Sequence, residues 1–274
     1  TFRDLRIARL VMSPVRYNPA KKEALVAEWM RIRVHLGTPV RGAENVRQGR
    51  SSPSFEAAYS RTLLNPPTSG RSGTLPGPER LLVIAYDSFV DAIEPLVDWK
   101  RLSGVETTVV PVSIAGLTAV ALQTFITNAY HGATPPSYVL LVGDALQIPP
   151  LVGCPRESTY SDYEPCASDF LFSTIDGNDL YSDVIVSRLS ASTEAEVALQ
   201  VAKIIEYERT PLTGSAAAWM SSVTLISSSQ QSGDSSDDTY CNELTSIYSD
   251  GGSSPITKLY DSADEATVSR VSSA

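Results

Sequence analysis

Carboxylates crowd one stretch of the chain. Asp162, Asp169, Asp176, Asn178, Asp179 and Asp183 all fall between residues 162 and 183. Asp176-Gly177-Asn178-Asp179 is a turn-forming sequence that draws such oxygens together. Hard cations such as Ca2+ take about six to eight oxygen ligands. Asp176, Asn178, Asp179 and Asp183 are therefore candidate metal ligands. The spacing is not that of an EF-hand, because the glycine is at the wrong offset and no bidentate Glu follows. A turn whose Asp and Asn side chains bond their own backbone is the alternative, and both readings stay open. Asp144 ends an apolar run, at the position where open parallel sheets keep their sites. An Asp that simply caps the following turn is the plainer reading there.

Nucleophilic catalysis by a thiolate needs a cysteine and a histidine that meet in space. The chain has Cys154, Cys166 and Cys241, with His35 and His131. His131 directly precedes Gly132 at a predicted helix stop, where a cation complements the helix dipole. His35 falls on the polar side of a predicted strand. Cys154 and Cys166 sit twelve residues apart in a loop and either stay free or bridge in an oxidising compartment. Neither a Gly-x-Gly-x-x-Gly nor a Walker loop occurs, nor His-Glu-x-x-His, nor Gly-x-Ser-x-Gly. Phosphate cradling, zinc hydrolysis and a serine elbow thus find no support.

Any such site has to be held by the elements around it. Leu81 to Tyr86 and Tyr138 to Val142 are continuous apolar runs, as in strands covered on both faces. Thr107 to Val112 reads as a strand between them. Helical spacing of Phe89, Ile93, Leu96, Val97 and Leu102, and of Thr118 to Tyr130, fills the gaps. Strand and helix alternate in this way in a parallel sheet with crossover helices. Phe170 to Ile175 and Asp183 to Val186 read as short strands, and Thr193 to Tyr207 as an amphipathic helix capped by Ser192 or Thr193. Val223 to Ile226 and Ile256 to Tyr260 are further strands, with a helix near Asn242 to Tyr248. A last helix is expected at the chain's end.

The first part of the chain differs. Arg9 to Tyr17 alternates imperfectly, and Met30, Ile32, Val34 and Leu36 alternate cleanly with Arg31, Arg33 and His35. These runs predict a hairpin across Asn18 to Glu23. Phe55 to Leu64 is a short amphipathic piece, and Pro66 to Gly73 reads as a linker. The expected organisation is a β-rich segment over residues 1–79, an α/β region over 80–215 and the start of a second α/β region over 216–274.

Composition narrows the class. The 274 residues are 42% hydrophobic and 19% charged, enough apolar side chain for a sizeable core. A formal charge of −9 repels phosphate backbones and argues against a nucleic-acid partner. No apolar stretch reaches the roughly 20 residues of a membrane span. Thr1 at the start, with no charged or apolar leader, predicts a processed or trimmed end and is consistent with the loss of a targeting signal.

Several pieces recur in one order. They are Val97-Asp98-Trp99-Lys100; Tyr138-Val139-Leu140-Leu141-Val142-Gly143-Asp144 with Ile148-Pro149; Ser168-Asp169-Phe170; Asp176-Gly177-Asn178-Asp179; Asp183-Val184-Ile185-Val186-Ser187-Arg188-Leu189; and Lys203-Ile204-Ile205-Glu206-Tyr207-Glu208-Arg209. Together, over roughly Leu81 to Tyr260, they resemble the gingipain-type cysteine peptidases. Tyr17-Asn18-Pro19 and its flanks are similar to the end of the prosegment that precedes their catalytic domain. The common family version of the arginine motif has Gly where Ser187 stands.

The resemblance implies a caspase-like α/β sandwich behind a smaller β-rich N-terminal segment. It also implies a secreted or surface cysteine endopeptidase acting on protein or peptide substrates, with an intramolecular prosegment contact. It places the catalytic His and Cys beyond Ala274, so that no catalytic residue is expected in this chain and the chain alone is expected to be inactive. Asp238 matches the family's S1-pocket Asp, with Asp237 as the neighbouring register. A helix N-cap is the other reading of Asp238. Gln230 matches a Glu that supports the His. Bound calcium is common in the family and favours the cation reading of Asp176 to Asp183. A non-catalytic surface or assembly protein on the same scaffold is the alternative function. A ligand-binding doubly wound domain is a third, for which Gly143-Asp144 offers no phosphate or sugar loop.

Overall fold

The computed structural model describes residues 2, 3, 5, 7–33, 52–66, 77–153, 166–177, 179–210, 212–228, 237–263 and 265–273. Val34 to Leu36, most of the predicted linker, Cys154, Asp162, Asn178 and Gln230 lie outside these residues. The chain forms two compact units, Thr1–Ile205 and Glu206–Ala274.

The first unit opens with an antiparallel hairpin of β1 (Val15–Asn18) and β2 (Glu23–Val26), paired Val15 to Val26. Asn18 Oδ1 accepts from the N–H groups of Ala20 and Lys21 and so builds the turn. This differs from the expected pairing of Arg9 to Tyr17 with Met30 to Leu36: the partner strand is Glu23–Val26, and Met30–Arg33 lie in no strand. The reason is physical. Every residue of both strands is exposed. With no buried face, alternation has nothing to fix it, and the nearest turn chemistry sets the register. The helix α1 (Pro53–Thr62) follows, burying Phe55 and Tyr59.

The centre of the unit is a parallel sheet of β3 (Arg80–Ala85), β4 (Glu106–Pro111), β5 (Tyr138–Val142) and β8 (Ile185–Leu189), in the order β4-β3-β5-β8. Its helices are α2 (Val90–Leu102), α3 (Val112–Ala115), α4 (Ala119–His131) and α5 (Glu194–Arg209). A short antiparallel pair, β6 (Leu151–Val152) with β7 (Ala167–Ser168), lies between β5 and β8 in sequence.

Two apolar layers flank the sheet, because successive strand residues point to opposite faces. Leu82, Ile84, Val139 and Leu141 face Leu122, Ile126 and Tyr130 of α4. Val83, Ala85, Leu140 and Val142 face Ile93, Leu96 and Val97 of α2 and Val197 and Val201 of α5. This double coverage is why both central strands read as unbroken apolar runs. Thr118 caps α4 by accepting from Ala121 N at 3.2 Å. At α5, Glu196 accepts from the N–H groups of Ser192 and Thr193 while Thr193 accepts from Glu196 N, a reciprocal capping box. Phe170 to Ile175, expected as a strand, instead contains a 3-10 helix, Phe170–Ser173, which drives Phe172 into the α4 layer.

The second unit holds the parallel pair β9 (Val223–Ser227) and β10 (Ile256–Tyr260), in register from Val223 and Ile256. The helix α6 (Asp237–Asp250) lies against both strands, and α7 (Val268–Ser273) ends the chain. Leu225 and Leu259 are its buried apolar side chains among the described residues.

Candidate functional site

The sheet order reverses at β3. From β3 the chain goes to β4 on one side and returns through α4 to β5 on the other. In open α/β sheets the crevice above such a switch, at the carboxyl ends of the strands, is where sites form. Here that edge carries Asp87 after β3, Gly143-Asp144 after β5 and Arg188 to Ser190 at the end of β8. Asp87 is held by Ser113, whose N–H reaches Oδ2 at 3.1 Å and whose hydroxyl bonds Oδ1.

Arg188 binds the edge together. Its Nε and Nη2 meet the two carboxylate oxygens of Asp169 at 2.7 Å each, and Nη1 donates to Gly143 O at 2.8 Å. A fork-to-fork pair of this kind fixes both position and orientation. Gly143 is bent at φ +144°, and a Cβ there would come within 3.1 Å of Gln147. Only glycine makes this turn without strain. Asp144 then accepts from Ser190 Oγ at 2.9 Å. The Ala145 N–H, the Ser190 hydroxyl and the nearby Arg188 charge all favour its ionised form and hold its pKa below the usual carboxylate value. Ser187 is exposed on the edge strand β8.

The acidic turn comes next. Asp183 is fully buried, and its Oδ2 accepts from the N–H groups of Ile175 and Asp176 at 2.7 Å each. Its Oδ1 has no hydrogen-bond partner among the described residues. Burial pushes its pKa upward, against those two N–H groups, and the charges of Asp176 and Asp179 push the same way. Asp179 Oδ1 accepts from Tyr181 N at 2.9 Å. Asp176 Oδ1 instead meets His131 Nε2 at 2.8 Å. His131 is thus joined to the acidic turn, a contact the sequence did not signal because 45 residues separate the two. Among the described residues no three His, Cys, Asp or Glu side chains converge as a metal cage.

In the second unit Asp237 and Asp238 open α6. Asp238 Oδ1 accepts from the Ser227 hydroxyl at the carboxyl end of β9, and Asp237 accepts from Ser228 Oγ at 3.0 Å. Cys241, one turn further, is half-buried with Sγ 4.0 Å from Ile226 O. Cys166 is exposed and forms no disulfide among the described residues; its candidate partner Cys154 lies outside them. The sequence reading missed the joining of Asp169 to Arg188. The available signal was an arginine inside an otherwise apolar strand, which demands a carboxylate within reach.

Fold and site together define a doubly wound α/β scaffold whose polar groups gather at the carboxyl edge of a parallel sheet. The sequence profile of peptidase family C25 matches residues 74–273, and the chain belongs to that family. It is 28% identical to gingipain R1 of Porphyromonas gingivalis over 94% of this chain, but spans only 26% of that protein's length. Two solved structures share its fold. The Arg specific cysteine proteinase gingipain R (RgpB) matches with a TM-score of 0.55 and 28% identity, covering 66% of this chain and 41% of that one. The complex of the RgpB pro- and mature domains from Porphyromonas gingivalis gives 0.55 and 29%, covering 66% and 42%. Among the described residues no helix is long and apolar enough to cross a membrane.

Proposed function

We propose that this chain is the scaffold part of a gingipain-type cysteine endopeptidase that works outside the cell or at its surface. The family match over residues 74–273 is the observation that carries this reading. In it, a thiolate attacks the peptide carbonyl and an imidazole carries the proton, with an acyl-enzyme between the two steps. That Cys–His dyad is supplied by residues of the parent protein that follow Ala274, and the 274-residue chain is inactive by itself.

The substrate is a protein or peptide. Asp238 is the carboxylate that meets a basic P1 side chain, pre-oriented by its bond to Ser227. Residues 1–79 form a prosegment-like part that docks on the α/β core. The bond between the Ser54 and Tyr138 hydroxyls, the contact of Phe2 with Tyr181, and the bond of Arg3 Nη1 to Asp183 O support that docking. Ca2+ at the acidic turn is a structural ion in this reading. The buried Asp183 Oδ1, without a hydrogen-bond partner among the described residues, is the oxygen that would suit a hard cation.

A non-catalytic surface or assembly protein is the second reading, favoured by Ser187 and Gln230 at positions where the family pattern has Gly and Glu. One experiment separates the two. This chain and a version extended by the downstream coding sequence are purified and assayed on peptides with Arg or Lys at P1, with and without iodoacetamide. The extended protein is expected to cleave at a rate the alkylating agent abolishes, and the shorter chain not at all. A folded, inert extended protein supports the assembly reading, and thiol-blockable cleavage by the shorter chain overturns the placement of the dyad.

A further inference from the structure

Arg3 is a charged side chain with only 2% exposure, near the start of the chain. Its Nη1 donates to Asp183 O at 2.6 Å and to Pro136 O at 3.2 Å. The guanidinium carbon stands 4.4 Å from the centre of the Phe55 ring and 5.5 Å from that of Tyr130. Both rings are buried, at 2% and 0% exposure. Phe2 packs edge-on against Tyr59 at 5.1 Å and lies 6.1 Å from Tyr181. The backbone is bent to present this pair. Phe2 and Leu5 exchange hydrogen bonds of 2.8 and 3.1 Å, and Arg3 between them holds φ +53°. A non-glycine residue keeps that conformation only where its surroundings over-determine it.

We propose that Tyr130, Pro136 and Asp183, closed over by Phe55, form a guanidinium-binding socket, filled in cis by Arg3 and able to take a free guanidinium ion when the Arg3 side chain is removed. A buried charge is costly unless its donors are satisfied. Here two convergent carbonyls take the N–H groups of Nη1, and two aromatic rings stand close to the guanidinium. Guanidinium suits this set because it is planar, weakly hydrated and attracted to aromatic faces, whereas an ammonium is compact and strongly hydrated. The socket lies in the Thr1–Ile205 unit and is a different place from Asp238, so it stands without the peptidase reading. It plants the first residues beside α1, so the exposed hairpin β1–β2 is bracketed by two anchors, the Phe2–Leu5 turn and α1.

The test is chemical rescue in the full chain. Arg3→Ala is expected to lower the melting midpoint by about 3–8 °C. Millimolar ethylguanidinium, which replaces the deleted atoms, should restore part of that loss with saturable dependence. Propylammonium should restore nothing, Arg3→Lys should melt with Arg3→Ala, and the wild type, with its socket filled, should respond to neither amine. An unchanged midpoint in Arg3→Ala, or an equal guanidinium effect on the wild type, overturns the proposal. Should the variant fail to fold, the wild-type chain still decides: nitrogen-15 spectra are expected to show separate, slowly exchanging Nη–H signals for Arg3, and a single averaged signal counts against the socket.

Discussion

Asp144 is the residue on which the carboxyl edge of the sheet turns. Its carboxylate takes bonds from Ala145 N–H and Ser190 Oγ, with Arg188 close by, so its pKa in the folded chain lies below the ordinary 3.8. In the unfolded chain those partners are gone. Near the ordinary value the unfolded state therefore binds more protons, and stability rises with pH there. The contribution is complete above 3.8 and is lost as pH falls through the folded value. Asp144→Asn is expected to be slightly less stable than the wild type at about pH 6 and to converge with it as pH falls through the lowered folded-state value. Urea midpoints across that range measure the gap, and a gap that stays constant would mean that the carboxylate's charge plays no part. Arg188 shows the same economy at one position, since a single guanidinium fixes both Asp169 and the Gly143 carbonyl. Sequence made Asp144 visible through the apolar run before it. It gave no sign of Arg3, because the carbonyls and rings around it come from three distant parts of the chain, near residues 55, 130–136 and 183.

At the scale of elements, the turn from Ile175 to Asp183 carries the clearest tension. Two backbone N–H groups serve one oxygen of Asp183 and none of the described residues serves the other, while burial opposes its charge. The proposed Ca2+ would resolve that conflict, and its binding free energy would add to folding. Raising Ca2+ to about a hundred times its Kd is expected to stabilise the chain by about 2.7 kcal/mol. Thermal melts in EDTA and in excess Ca2+ read this directly, with Asp183→Asn losing the response. Identical midpoints in EDTA and in Ca2+ would remove the ion from the account. The core elements were legible for a definite reason. Leu82 to Ala85 and Val139 to Val142 are covered on both faces, so burial writes itself into sequence as an unbroken apolar run. Where burial does not constrain the chain the reading slipped. The hairpin register went to Glu23–Val26, and the apolar Phe170 to Ile175 became a 3-10 turn because a short apolar run suits either geometry.

Across the whole molecule the two units differ in what holds them. In Thr1–Ile205 the sheet is covered on both sides, and the two layers bury side chains such as Ile84, Ile93, Leu122, Ile126, Leu141 and Val197 to 0% exposure. In Glu206–Ala274 the parallel pair β9–β10 buries Leu225 and Leu259, and α6 buries no side chain among the described residues. Tyr240, Leu244 and Ile247 on that helix are 50%, 40% and 64% exposed. Parallel strands are ordinarily stable only when both faces are covered. Local opening is easiest where few apolar side chains are buried. Exchange of backbone amides with deuterium should therefore be uneven. Amides of Leu225 to Ser227, Leu259 and α6 are expected to exchange at least about a hundredfold faster than those of Val83, Ile84, Leu140 and Leu141, because about 2.7 kcal/mol less work is needed to open them. Peptide-resolved mass spectrometry measures both sets in one sample. Equal protection would mean that the second unit draws stability from groups beyond its own buried pair of leucines, and the thin-core description of that unit would have to be given up.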